Sequence, residues 1–284
     1  MAVRHEVLSG VARLNATTAV LQRARLADPL DGMWEAADVQ WWWGRPRDTD
    51  ELLLPVWFDE VGPVAAVGLT ASGDSWQVDV FALPSRIDMH DVWAAAMEAA
   101  GRHHLGALEM LVHEDDATLI DLAIHSGFVA DEMSGGGTTW MDAQQRPPIA
   151  QVHGFTVVDR QTRLDSPHPM IARNGEFVES RLQQCSLYDS TLDLAIEDAH
   201  GQVAGYALFW FDETTLVGLL EPMRVEDEFQ RRGLARALLT NGLNRLALKG
   251  ARRLKVGFTR DPGRALYLGA GFMQTSTDWL FIRH

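Results

Sequence analysis

Val225-Glu226-Asp227-Glu228-Phe229-Gln230-Arg231-Arg232-Gly233-Leu234-Ala235 joins an apolar segment, Thr215 to Val225, to a long amphipathic one. Leu234, Leu238, Leu239, Leu243 and Leu246 recur at helical spacing, and Gly250 stands where a C-terminal cap belongs, so a helix is expected from Gly233 to Lys249. A strand that feeds a tight charged loop and then a helix start suits phosphate. The first ~four N–H groups of a helix lack partners, and its N-terminus carries roughly half a positive charge. Gly233 lets the backbone approach a ligand with no Cβ in the way, while small Ala235 keeps the first turn slim. Arg231, Arg232 and Arg236 add mobile positive charge at the rim.

On either side of this loop, strand patterns are expected at Phe155 to Val158, Thr191 to Glu197, Val203 to Phe211, Thr215 to Val225, Leu254 to Phe258 and Thr277 to Ile282. Helices are expected at Glu179 to Leu187 and Pro262 to Leu268, and His200-Gly201 makes the second and third strands a hairpin. The first half reads similarly, with a hairpin Leu53 to Leu69, a strand Trp76 to Leu83 and a helix Met89 to Ala100. Three landmarks repeat between the halves in the same order. Gly62, Gly127 and Trp140 correspond to Gly201, Gly271 and Trp279, at separations of 139, 144 and 139 residues. A duplicated α/β domain follows: 1–142, a Gln- and Pro-containing linker 143–150, and 151–284.

Composition agrees with a two-domain globular protein. The 284 residues are 46% hydrophobic and 23% charged, near the averages for globular chains. No apolar run reaches the ~18 residues that span a bilayer. Arg4, His5, Glu6 and Arg13 stand where a signal peptide needs apolar residues, so a cytoplasmic protein with no membrane partner is expected. The net charge of −14 argues against nucleic acid, because neutralising phosphates needs clustered Lys and Arg. One cysteine, Cys185, makes neither a disulfide within the chain nor a metal framework, so no metal is expected and a buried thiol is the simpler reading.

Gln230-Arg231-Arg232-Gly233-Leu234-Ala235 resembles the pyrophosphate loop Gln/Arg-x-x-Gly-x-Gly/Ala of the GNAT superfamily of acetyl-CoA-dependent N-acetyltransferases. The preceding strand, the following helix and a downstream Tyr267-x-x-x-Gly271-Phe272 strengthen that resemblance. It implies a fold of two tandem GNAT-like domains, each with a mixed, mainly antiparallel sheet and flanking helices. Acetyl-CoA is the implied cosubstrate. Its pantetheine arm is implied to pair with the backbone of Met223, Arg224 and Val225, and its pyrophosphate to sit on Gln230 to Ala235. Pro222 lacks an N–H, which fits a bulge or an ordinary edge strand there.

The resemblance also implies an acid and a base. An amine of pKa ~10.4 is less than about 0.1% neutral at pH 7, so something must take its proton. Glu221 lies on the implied strand, two residues beyond Leu219, the position where a glutamate is often found in the family. It is either that base or a structural carboxylate that pairs with Arg224 or caps a bulge. Tyr267 is placed to protonate the departing thiolate. The acceptor is implied to be an amine of a small molecule or a peptide. A non-catalytic acyl-CoA-binding or sensor protein is the competing class.

The first half keeps neither feature. Pro84-Ser85-Arg86-Ile87-Asp88-Met89 has no glycine pair, and Ala123 stands four residues before Gly127 where Tyr267 precedes Gly271. Trp41, Trp42 and Trp43 cannot share one buried face, so at least one should meet a domain interface, a ligand or water. A cationic amine on an indole and packing between domains are both open readings.

Overall fold

The structure, a computed structural model, describes residues 3–30, 32–103, 106–259 and 261–284, without the side chains of 132–134. From the N-terminus come β1 (Arg4–Leu8), α1 (Gly10–Ala27), α2 (Ala36–Trp43), β2 (Leu54–Phe58), β3 (Pro63–Ser72), β4 (Ser75–Ala82), α3 (Met89–Arg102), β5 (Ala107–His113), α4 (Ala117–His125) and β6 (Val129–Asp142). These are followed by β7 (Phe155–Asp159), α5 (Ile171–Asn174), α6 (Val178–Leu182), β8 (Asp193–Asp198), β9 (Val203–Asp212), β10 (Val217–Val225), α7 (Leu234–Lys249), β11 (Arg253–Phe258), α8 (Asp261–Gly269) and β12 (Met273–Arg283).

Local chemistry accounts for many of the boundaries. Asp88 caps α3 by accepting from the His90 N–H, and the helix buries Val92, Trp93, Ala96, Ala99 and Ala100 along one stripe. The β8–β9 turn is closed by the Asp198 carboxylate, which accepts from the backbone of His200 and Gln202 at 2.8 and 2.9 Å. Gly250 ends α7 in the left-handed region, as its position predicts. The helix expected over Glu179 to Leu187 is shorter, because α6 stops at Leu182. Beyond it, polar groups pair with the 40–46 segment instead: Trp43 Nε1–H donates to Gln184 Oε1 at 2.9 Å, and the Leu187 N–H donates to Gln40 Oε1 at 2.9 Å.

The chain forms two compact units, each interrupted in sequence. The first comprises Met1–Val39, Arg47–Gly137 and Ser276–His284; the second comprises Gln40–Pro46 and Thr138–Thr275. The expected division at 1–142, 143–150 and 151–284 therefore gives way to units that exchange two short segments. The stretch 143–150 is held on α7, where the Ala150 N–H donates to Thr240 Oγ1 at 2.9 Å and Arg146 donates to Asn244 Oδ1.

In the first unit the strands run β1-β2-β3-β4-β5, and residues Asp278–Arg283 of β12 lie antiparallel to β5. In the second the order is β6-β11-β10-β9-β8-β7. Each unit has a mixed, mainly antiparallel sheet with helices against it, an α/β fold in two similar copies. The parallel pair is the same step in both. Ser75, Trp76 and Gln77 of β4 face Ala107, Leu108 and Glu109 of β5, as Val217, Gly218 and Leu219 of β10 face Arg253, Leu254 and Lys255 of β11. The first core is built on Leu54, Val67, Trp93, Phe128 and Phe281, the second on Phe209, Leu238, Leu239, Leu254 and Phe272. Each such buried side chain contributes roughly 1.5–3 kcal/mol. Among the described residues no helix is long and apolar enough to cross a membrane.

Candidate active site

The site is made where β10 and β11 part. Their ladder covers only Val217–Leu219, so the later residues of β10 face β11 without a strand partner on that side. On the other side β10 pairs with β9, but the register slips between Leu220 and Met223. The slip contains the cis peptide Glu221–Pro222, where proline has no N–H to give to a ladder. Trp210 Nε1–H donates to the Glu221 carbonyl at 2.7 Å and so gives the displaced backbone a partner. Pairing resumes with Met223 opposite Ala207, Arg224 opposite Tyr206 and Val225 opposite Gly205. A Cβ on Gly205 would stand 2.6 Å from the Arg224 carbonyl oxygen, so only glycine admits this approach.

The loop then turns sharply into α7. Arg231 and Gly233 both adopt left-handed backbone, with φ of 63° and 84°. For arginine that conformation is uncommon and is held only by its surroundings. Phe229 is buried and meets Phe155 edge-on at 6.0 Å, pinning the middle of the loop. Arg173 clamps Glu226 through two 2.9 Å bonds and holds its carboxyl below the ordinary value. Arg224 pairs with Glu226 and with Asp227, at 3.4 and 3.1 Å. Gln230 donates to the Val225 carbonyl at 3.3 Å and to Asp227 at 3.0 Å, which makes it a brace of the loop.

The N-terminus of α7 is bare. Gly233 stands at the N-cap with no side-chain bond, and the helical ladder opens with the Ala237 N–H donating to the Gly233 carbonyl at 3.1 Å. The N–H groups of Leu234, Ala235 and Arg236 precede that bond and point out of the helix start. Arg231, Arg232, Gly233 and Arg236 are exposed, Ala235 is half-buried and Leu234 is buried beneath them. Such a terminus, ringed by arginines, attracts an anion of phosphate type.

Tyr267 lies in α8, 8% exposed, with its ring edge-on to Phe272 at 6.2 Å. Burial pushes its phenol up to about 12, and the negative charge of Glu221 adds to the rise. Tyr267 therefore feels the charge of Glu221, 46 residues earlier in the sequence. Among the described residues no group of three or more His, Cys, Asp or Glu is placed to hold a metal ion.

A largely buried polar chain at the start of β8 follows no pattern in the sequence. The Met170 N–H donates to His168 Nδ1 at 3.2 Å, so the His168 proton sits on Nε2 and is donated to Asp193 Oδ2 at 2.8 Å. Tyr188 donates to the same oxygen at 2.9 Å, and its ring packs edge-on to Trp210 at 6.4 Å. The chain thus reaches the indole that holds the Glu221 carbonyl. The three polar residues fit no spaced motif, and only tertiary pairing brings them together.

The tryptophan run falls on α2. Trp43 is buried beside Gln184, with the Arg181 guanidinium 4.0 Å above its ring, while Trp41 and Trp42 are half-buried. The cation on the Trp43 indole is thus the chain's own arginine. Cys185 is buried, its thiol pushed up to about 12 by burial, and donates to the Gln40 carbonyl.

Residues 159–272 match the family model of the acetyltransferase (GNAT) family. Solved structures with a similar fold include a tandem GNAT protein from the clavulanic acid biosynthesis pathway, at 16% identity and a TM-score of 0.69, covering 99% of this chain and 98% of that one. A GCN5-related N-acetyltransferase from Sphaerobacter thermophilus is similar at 16% identity and a TM-score of 0.62, covering 99% and 95%. A GNAT-family acetyltransferase from Colwellia psychrerythraea aligns at 11% identity and a TM-score of 0.59, covering 99% and 100%. No curated protein matches the chain.

Proposed function

We propose that the chain is a tandem-domain member of the GNAT acetyltransferase superfamily and that it moves an acetyl group from acetyl-CoA to the amine of a small molecule or a peptide. The observation that carries this reading is the opening between β10 and β11 that leads to the uncapped, arginine-rimmed start of α7. In this reading Met223, Arg224 and Val225 offer backbone groups to the pantetheine arm. Gln230, Arg231, Arg232, Gly233, Leu234 and Ala235 form the seat of the pyrophosphate. The bound thioester supplies an activated acetyl group. Everything else falls to the chain's own side chains.

Glu221 is the proposed acceptor of the amine proton, directly or through a water it orients. Tyr267 has a narrower part than full proton donor. A phenol at about 12 is a far weaker acid than a thiol of ordinary pKa ~8.5, so complete transfer to a thiolate is uphill. Its hydroxyl instead acts as a hydrogen-bond donor that stabilises the negative charge growing on sulfur as the C–S bond breaks. The net charge of −14 favours a neutral or cationic acceptor over an anionic one.

Calorimetry and a thiol-release assay with an amine panel test this reading together. The expected result is one acetyl-CoA per chain and amine-dependent release of CoA. Tight acetyl-CoA binding with no amine-dependent release would make the chain an acyl-CoA sensor, and absent binding would overturn both readings.

A further inference from the structure

The first unit contains the same parting of strands without the phosphate loop. Beyond Gln77 and Glu109 the ladder between β4 and β5 stops, and a cavity of about 510 Å³ opens between them. That size is ordinary for a small-molecule site. CoA is poorly suited to it. At the start of α3 the Asp88 carboxylate already accepts from the His90 N–H at 2.9 Å, so the helix end that would meet a pyrophosphate is occupied by a negative side chain.

The cavity wall holds a buried carboxyl. Asp79 on β4 is 3% exposed, and both its oxygens accept from Gln77 Nε2, at 3.1 and 2.9 Å. The Trp34 indole donates to it as well. Among the described residues no Lys, Arg or His pairs with it. Arg25, on the same wall, is bound to buried Glu35 at 3.1 and 2.5 Å. Other titratable groups lining the space are Asp28, His113, Asp115 and Asp116, so its charge is predominantly negative. Between these groups the wall is apolar, with Leu21, Met33, Val80, Met110 and Leu119. A buried carboxyl with only neutral donors, at the edge of a cavity, is costly to ionise unless a cation completes it.

We propose that the cavity between β4 and β5 binds a small organic amine, with its ammonium on the Asp79 carboxylate and its hydrocarbon body against Trp34 and the apolar wall. The site is separate from the proposed acetyl-transfer centre and needs no chemistry from it.

Burial, reinforced by Asp38, pushes the Asp79 carboxyl up to about 7, against the opposing bonds from Gln77 and Trp34. Its ionised form is thus disfavoured in the folded chain, and this group lowers stability as pH rises from its unfolded value of ~3.9 toward about 7. Asp79→Asn removes that loss, so the variant should show a higher Tm than wild type at pH 8. An amine that binds the carboxylate at pH 7 also releases protons to the buffer.

The test titrates phenethylamine and its neutral match 2-phenylethanol into the full chain by calorimetry in two buffers of different ionisation enthalpy. Saturating acetyl-CoA is added in a second series. The expected result is amine binding at least about tenfold tighter than the alcohol, with proton release, and a loss of about tenfold or more in Asp79→Asn. Ala82→Phe, which fills the cavity and keeps Asp79, should lose the amine as well, while both variants still take one acetyl-CoA. The Trp34 indole N–H resonance should shift only when the amine binds. Equal binding of amine and alcohol would overturn the proposal, as would full amine affinity in either folded variant or a second acetyl-CoA competing with the amine. Should Asp79→Asn fail to fold, Ala82→Phe and the indole resonance decide alone.

Discussion

At the residue scale the hydroxyl donor Tyr267 and the proposed base Glu221 carry separable signatures. Tyr267→Phe keeps the edge-on ring packing against Phe272 and removes one hydroxyl, so kcat should fall ~10²-fold with acetyl-CoA affinity nearly unchanged. Glu221→Gln should lose the low-pH limb of the kcat/KM profile and regain rate as pH nears the acceptor's own pKa. Because the Tyr267 phenol is raised to about 12, no limb of the wild-type profile below pH 10 should belong to it. Wild-type kcat in Tyr267→Phe with chemistry rate-limiting, or an unchanged profile in Glu221→Gln, returns that residue to a structural part. Gln230 through Ala235 could be picked out in the sequence because their spacing is local. His168, Tyr188 and Asp193 could not, since their bonds depend on which strand lies beside which.

At the element scale the loop and α7 act as one anion seat. Gly233 has a left-handed φ of 84° and no side chain at the helix start. Gly233→Glu would force a carboxylate into that position and strain the backbone, so acetyl-CoA binding should disappear while circular dichroism remains native. Retained affinity would move the phosphate site elsewhere. The strands and helix around this loop were legible because apolar periodicity and turn residues agree there. α1 was not expected. Its buried face includes Thr17, Thr18 and Arg25, so it lacks the apolar stripe by which an amphipathic helix is read. What covers those groups, such as Glu35 on Arg25, is set by the fold.

At the scale of the whole chain, the interrupted units predict how it can be divided. Residues 276–284 belong to the first unit, where Asp278–Arg283 pair with residues 108–113 of β5. A fragment of 1–142 would expose that edge and should aggregate, as unpaired strand edges do. Adding a peptide of residues 276–284 should restore solubility and native tryptophan fluorescence. A soluble, folded 1–142 fragment without the peptide would contradict this. By itself the sequence determined the α/β elements of each copy, their duplication, and the glycine loop with its arginines, because turn chemistry and side-chain period act over a few residues. Tertiary structure alone decided the exchange of 40–46 and 276–284, the electrostatic influence of Glu221 on the Tyr267 phenol, and the carboxyl of Asp79 at the edge of a cavity. Those depend on strand order and on desolvation, which exist only once distant segments have packed.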